Sequence, residues 1–94
     1  MNGAWPARVE AAIADLSPGE VVSYGEVARR AGRPKAARSV GTVLAQHDGS
    51  LPWWRVVRAD GRIVAHKAQE QARRLRAEGV EVRNGRVVDA MPDR

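Results

Sequence analysis

The sequence predicts an α/β domain, mainly α, of the winged helix-turn-helix type with small β-hairpins. Three observations carry this. Two short amphipathic helical segments flank a Gly-Arg-Pro-Lys turn at residues 32–35. The apolar period changes from helical to extended after residue 50. Asp60-Gly61 and Asn84-Gly85 are both hairpin dipeptides.

The elements follow in order. Pro6 suits the first turn of a helix, and Val9, Ala12, Ile13 and Leu16 fall at i, i+3, i+4, i+7 on one face. Ser17-Pro18-Gly19 stops it. Val21-Val22 is a short extended piece. Ser23 and Glu26 form an S-x-x-E capping box, which starts a second helix that carries Val27 and Ala28 inward and ends at Gly32. A third helix is expected from Ala36 to His47, with Val40, Val43 and Leu44 on one face. Helix, short turn, helix is the helix-turn-helix pattern, although other helical hairpins share it. Residues 55–58 and 62–65 read as two strands around Asp60-Gly61, placed as a wing. Gln69 to Glu78 is a further amphipathic helix with Ala68, Ala72 and Leu75 inward and Gly79 after it. Glu81 to Arg83 and Arg86 to Val88 flank a type I′ turn at Asn84-Gly85. The tail, residues 89–94, is expected to be disordered.

Length and charge set limits on function. Ninety-four residues are expected to form one domain with a thin core. Net charge is +5, and only two of the 16 cations, Lys35 and Lys67, are lysine. Arginine grips phosphates bidentately and stacks on bases, so the balance points to nucleic acid. A GC-rich genome would also raise Arg over Lys, but does not explain the net positive charge. There is no cysteine, and His47 and His66 are too few for a zinc site. Catalysis by a Cys nucleophile, a phosphate loop or an H-E-x-x-H metal site is excluded. Ser23, Ser39 or Ser50 could pair with a histidine only without the local elbow that a serine nucleophile needs. No cofactor is expected. Residues 1–8 lack the apolar core of a signal peptide, and no stretch approaches the roughly 20 apolar residues of a membrane span. A cytoplasmic monomer with no membrane partner is the expectation.

The binding residues cluster in two places. Arg33, Lys35 and Arg38, with the first turn of the third helix, combine positive charge and free N–H groups. Ala36, Ala37, Ser39, Gly41 and Thr42 are small, which lets a backbone approach a groove; tight helix packing explains small residues equally well. Then Pro52-Trp53-Trp54-Arg55-Val56-Val57 concentrates two of three tryptophans beside an arginine, a composition suited to stacking on nucleobases.

Pro18 to Gly25, Gly32 to Gly41, Pro52-x-x-Arg55-Val56-Val57 with Gly61, and Glu78-Gly79 together resemble the DNA-binding domain of O6-alkylguanine-DNA alkyltransferases. The likeness runs from about Val9 to Gly79, and the stretch from Glu81 to Val88 also looks like the family's. Where those enzymes carry Pro-Cys-His-Arg, this chain has Trp53 for the cysteine and Trp54 for the histidine. A tryptophan there marks the alkyltransferase-like proteins, which also typically lack the transferases' N-terminal domain.

The resemblance implies a non-enzymatic sensor. It would dock in the minor groove of duplex DNA, flip an O6-alkylguanine, transfer nothing, and flag the lesion to nucleotide excision repair proteins. Arg38 would enter the base stack and Tyr24 would crowd the target phosphate. Pro52, Trp53, Trp54, Arg55, Val56 and His66, with Tyr24, would form the lesion pocket, Val56 offering backbone groups to the base. Trp54 is open between ligand contact and core packing, and His66 between pocket rim and plain surface. Glu78, the family's third relay residue, would cap and pack. A transcriptional regulator that reads undamaged DNA is the alternative, and a lesion-directed nuclease or glycosylase lacks a visible nucleophile or metal site.

Overall fold

The computed structural model describes residues 4–47 and 49–88. Four helices and four two-residue strands follow in order: α1 (Ala4–Ala14), β1 (Val22–Ser23), α2 (Tyr24–Arg30), α3 (Ala37–Ala45), β2 (Val56–Val57), α4 (Ala68–Ala77), β3 (Val82–Arg83) and β4 (Arg86–Val87). The α/β, mainly helical expectation holds. No helix among the described residues is long and apolar enough to cross a membrane. The tail beyond residue 88 lies outside the described residues.

β1 and β2 pair in parallel, Val22 with Val56 and Ser23 with Val57. Side chains alternate across a strand, and here the alternation divides the interior. Val22 and Val56 face a cluster with Val9, Ile13, Leu16, Val27, Ala28, Val40 and Val43, which packs α1 against α2 and α3. Val21 and Val57 face a second cluster with Ile63, Ala72, Leu75, Val82 and Val87, under α4 and the C-terminal hairpin. Four adjacent valines thus make the partition between the two halves.

Local signals explain the helix ends. The Ser23 hydroxyl accepts a hydrogen bond from Glu26 N at 3.0 Å, as an N-cap should. The Glu26 carboxylate binds Arg29 and Arg30 within its own helix. Gly32 ends α2 at φ +101°, a left-handed conformation that favours glycine. Trp5 reaches from α1 to α3, its indole N–H donating to Ser39 Oγ at 2.7 Å.

The wing is a correction. Residues 55–58 and 62–65 do not pair as a hairpin; only the turn survives, with Arg58 N donating to Arg62 O at 2.9 Å. β2 is taken by β1. The fully buried Gln71 carboxamide takes the groups that a ladder would have used. Its Nε2 donates to Trp54 O and Val56 O, and its Oε1 accepts from Val64 N at 2.7 Å. The chain then enters a 3₁₀ turn at Ala65–Lys67. The second expected hairpin does form: β3 and β4 are antiparallel around Asn84 (φ 54°) and Gly85 (φ 75°), the pair of positive φ values that a type I′ turn requires.

Candidate nucleic-acid interface

Pro52 precedes a single 3₁₀ turn, Trp53–Arg55. Such a turn has three residues per revolution, so successive side chains diverge by roughly 120°. The adjacent tryptophans therefore leave in different directions, edge to face, with planes at 86°.

Trp53 lines a cavity of ≈ 110 Å³ together with Tyr24, Leu44, Leu51, Val64 and His66. His47 and Lys67 also border it, and the Lys67 ammonium stands 4.9 Å from the centre of the Trp53 ring. Apolar walls with a few nitrogen-bearing side chains at the edge suit a flat, partly polar ring. Burial raises the Tyr24 phenol above its ordinary value, only partly opposed by the Arg58 charge. The phenol therefore remains protonated at neutral pH and can donate a hydrogen bond.

Trp54, by contrast, packs against the second cluster. Its indole N–H donates to Glu78 Oε2 at 2.8 Å, and the guanidinium carbons of Arg55 and Arg74 stand 5.3 and 4.6 Å from its ring centre. Trp54 thus packs and does not line the cavity. Arg55 points the same way, into Glu78 and Leu16 O. Val56 is fully buried and its backbone is spent: its N–H donates to Trp53 O and its carbonyl accepts from Gln71. Pro52 does not line the cavity. Of the seven residues expected in the pocket, Tyr24, Trp53 and His66 line it. Pro52, Trp54, Arg55 and Val56 build the turn that holds Trp53 there.

A surface groove abuts the cavity. Ala37, Arg38 and Gly41 of α3 form one wall, and Arg58, Ala59, Arg62 and Gly85 the other. Tyr24, Gly41 and Val64 line both groove and cavity. A Cβ built on Gly41 would meet nothing within 4 Å, so protein packing does not require glycine there. Ala36 does pack on the core. Lys35, Arg38 and Thr42 are exposed. Arg33 stacks over Trp5 at 4.8 Å from the ring centre, and Ser39 accepts the Trp5 indole N–H; both fasten α1 to the helix pair.

Sequence reasoning missed Leu44, Leu51, Val64 and Lys67 in the cavity and Arg58 and Arg62 in the groove. The last two lay in the run read as a wing. Gln71 was missed as well; the signal that could have found it is an uncharged polar residue at an inward position of α4, next to Ala72 and one turn before Leu75.

Fold and site define a small helix-turn-helix domain whose basic groove opens on an aromatic cavity. The family model described as 6-O-methylguanine DNA methyltransferase, DNA binding domain, matches residues 4–80. The DNA base-flipping protein of Escherichia coli (strain K12) is 42% identical over 89 residues, 90% of this chain and 69% of that protein. Alkyltransferase-like protein 1 of Schizosaccharomyces pombe is 36% identical over 81 residues, 80% of this chain and 75% of that protein. Among solved structures, S. pombe Atl1 in complex with damaged DNA containing O6-carboxymethylguanine aligns with a TM-score of 0.84 at 32% identity, covering 99% of this chain and 94% of that one. The chain belongs to the family of the 6-O-methylguanine DNA methyltransferase DNA-binding domain.

Proposed function

We propose that this chain recognises O6-alkylguanine in duplex DNA, rotates the damaged nucleotide into the Trp53 cavity, and leaves the alkyl group in place. The observation that carries the reading is the shared wall of Tyr24, Gly41 and Val64 between the Arg38 groove and the cavity. A nucleotide leaving a stack held in the groove has a short path to Trp53. The relatives support the same direction: one is named for base flipping and another is solved with O6-carboxymethylguanine DNA.

Each side chain has a task in this reading. α3 docks in the minor groove through Ala37, Arg38, Gly41 and Thr42, with Lys35 from the turn before it. Arg38 fills the gap in the stack and hydrogen-bonds the orphaned base. Flipping costs a few kcal/mol, least for a mispaired or damaged base, so weak pairing of the lesion is itself part of the selectivity. Trp53 offers an apolar face to the guanine ring, the Tyr24 hydroxyl donates to it, and His66 and Lys67 border the alkyl group.

Transfer does not follow binding. Alkyl transfer requires a thiolate and a base to form it; the chain contains no cysteine, and an indole is not a comparable nucleophile. The complex persists as a mark for nucleotide excision repair, formed by one copy of the protein in the cytoplasm.

The test is a titration with two duplexes at matched salt, one carrying O6-methylguanine and one plain guanine. Tighter binding to the first, with the methyl group still on the DNA afterwards, supports the sensor. Equal binding overturns it and leaves a regulator of undamaged DNA.

A further inference from the structure

The groove has two basic walls, and α3 accounts for only one. The opposite wall is made of two turns from distant parts of the chain. The turn at 58–62 is stitched onto the β3–β4 hairpin by an antiparallel bridge between Arg62 and Arg86. Two backbone bonds make this bridge, Ile63 N to Gly85 O at 3.0 Å and Val87 N to Gly61 O at 2.9 Å.

The contact between the turns is close. Gly61 adopts φ +88°, and a Cβ there would come within 3.2 Å of both Arg86 Cγ and Val87 O. The stem of Arg86 therefore lies directly over Gly61. Beneath the turns, Ile63, Val82 and Val87 are buried in the second cluster. The result is a ridge with a fixed backbone that carries Arg58, Arg62, Arg83 and Arg86.

Its charge is only partly neutralised. Asp60 lies 3.4 Å from Arg62, and Glu81 pairs with Arg83. Among the described residues, Arg58 and Arg86 enter no ion pair. Arg58 and Arg62 line the same groove as Arg38, whereas Arg86 lines the depression between the two turns that Arg62 also borders.

We infer that this double-turn ridge is a second phosphate-contact surface, in which Arg58 holds the phosphodiester backbone of the duplex across the groove from α3 and Arg86, on the side of the ridge that Arg62 shares with the groove, holds a flanking phosphate. The inference rests on the reading that the groove holds DNA. Contacts to phosphate carry no sequence information, so a ridge that holds only the phosphodiester backbone contributes uniformly over sequence and over damage. A pre-formed backbone removes the cost of ordering the turns, and the planar guanidinium fork makes paired bonds to phosphate oxygens. Arg38 then selects the lesion, while the ridge supplies affinity and sets the register of the duplex over the cavity.

The experiment uses the full chain with Arg58→Gln, Arg86→Gln and the double substitution, and measures affinity for plain and O6-methylguanine duplexes over a range of salt. Each phosphate contact contributes about 0.9 to the slope of log K against log [salt]. Each single substitution is expected to reduce that slope by about 1 and to weaken both duplexes several-fold by the same factor, leaving their ratio unchanged. Arg58→Lys and Arg86→Lys keep the charge and are expected to retain the slope, which separates loss of a contact from loss of fold. An unchanged slope in the double variant, or a shift in the lesion ratio alone, would overturn the ridge. A wild-type protein that binds both duplexes equally would sink the sensor reading, yet the slopes on plain DNA would still decide the ridge.

Discussion

The Arg55 guanidinium and the Glu78 carboxylate meet at 2.7 Å, both nearly buried, with side chains 11% and 13% exposed. Glu78 also accepts from Trp54 Nε1 and from Gly19 N, while Arg55 donates to Leu16 O. One ion pair thus ties the end of α1, the turn before α2, the Trp53 turn and the C-cap of α4. The family resemblance implied that Glu78, with no relay partner, would cap and pack. It does stand at the C-cap of α4, and its carboxylate is in addition the bracket that fixes where Trp53 points.

Glu78→Gln is expected to destabilise the fold by about 2–3 kcal/mol at pH 7, since it removes the charge and one acceptor from a nearly buried set of donors. The Arg55 guanidinium, with help from Gly19 N and Trp54, holds the carboxyl at about 2, below its ordinary 4.5. A depressed carboxylate contributes stability above its unfolded value and loses it as pH falls through the folded one. The gap between wild type and variant should therefore be widest above pH 4.5 and close as pH approaches 2. Urea melts across that range check it; a gap that does not change with pH would contradict the assignment.

Gln71→Leu keeps the volume and removes both ends of the carboxamide. Trp54 O, Val56 O and Val64 N would each lose a hydrogen-bond partner. Buried polar groups left in this way cost about 1–3 kcal/mol each when no water replaces the bond. For the three groups together a loss of at least about 3 kcal/mol is expected, read as a drop in the urea midpoint. A stability equal to wild type would show that the bonds to Gln71 are dispensable.

Arg38→Ala is expected to leave the melting curve unchanged, because the side chain is exposed. Affinity for the O6-methylguanine duplex should fall about 10–100-fold, the range for losing one stacking side chain of about 1–3 kcal/mol. The fluorescence of 2-aminopurine placed at the target position reports extrusion directly. Full extrusion by the variant would remove Arg38 from the mechanism.

Trp53→Cys supplies a thiol but is expected to transfer no alkyl group. Position 54 carries an indole, which cannot take a proton at neutral pH, and Glu78 is committed to Arg55, Trp54 and Gly19. Intact mass after incubation with O6-methylguanine DNA gives the answer. A gain of one methyl group would show that another base, with His47 and His66 nearest the cavity, activates the thiol.

What was legible in the sequence was the part fixed by neighbours along the chain. Ser23, Gly32 and Asn84-Gly85 each set their own turn by cap or positive φ, and the helical stripes named most of the first cluster. The misreading at residues 55–65 came from a pairing between distant segments. Val56-Val57 and a second apolar run look like a hairpin, but β1 and a glutamine fifteen residues on compete for the same backbone groups. The pocket suffered likewise. The motif brought Trp53 and Trp54 to attention together, and only the pitch of a 3₁₀ turn separates one as cavity wall from the other as support.

Ser23 belongs to two structures at once. Its backbone pairs with Val57, in the strand that follows the Trp53 turn, and its hydroxyl caps the helix that begins with Tyr24. The β2 segment cannot detach without also fraying the start of the helix-turn-helix. Cavity and groove consequently share a single local unfolding event, visible as amide exchange rising together at Glu26 and Val57. Under the proposed function, a nucleotide seated against Trp53 would stiffen the helices proposed to hold the duplex, and for the same reason would slow its own escape.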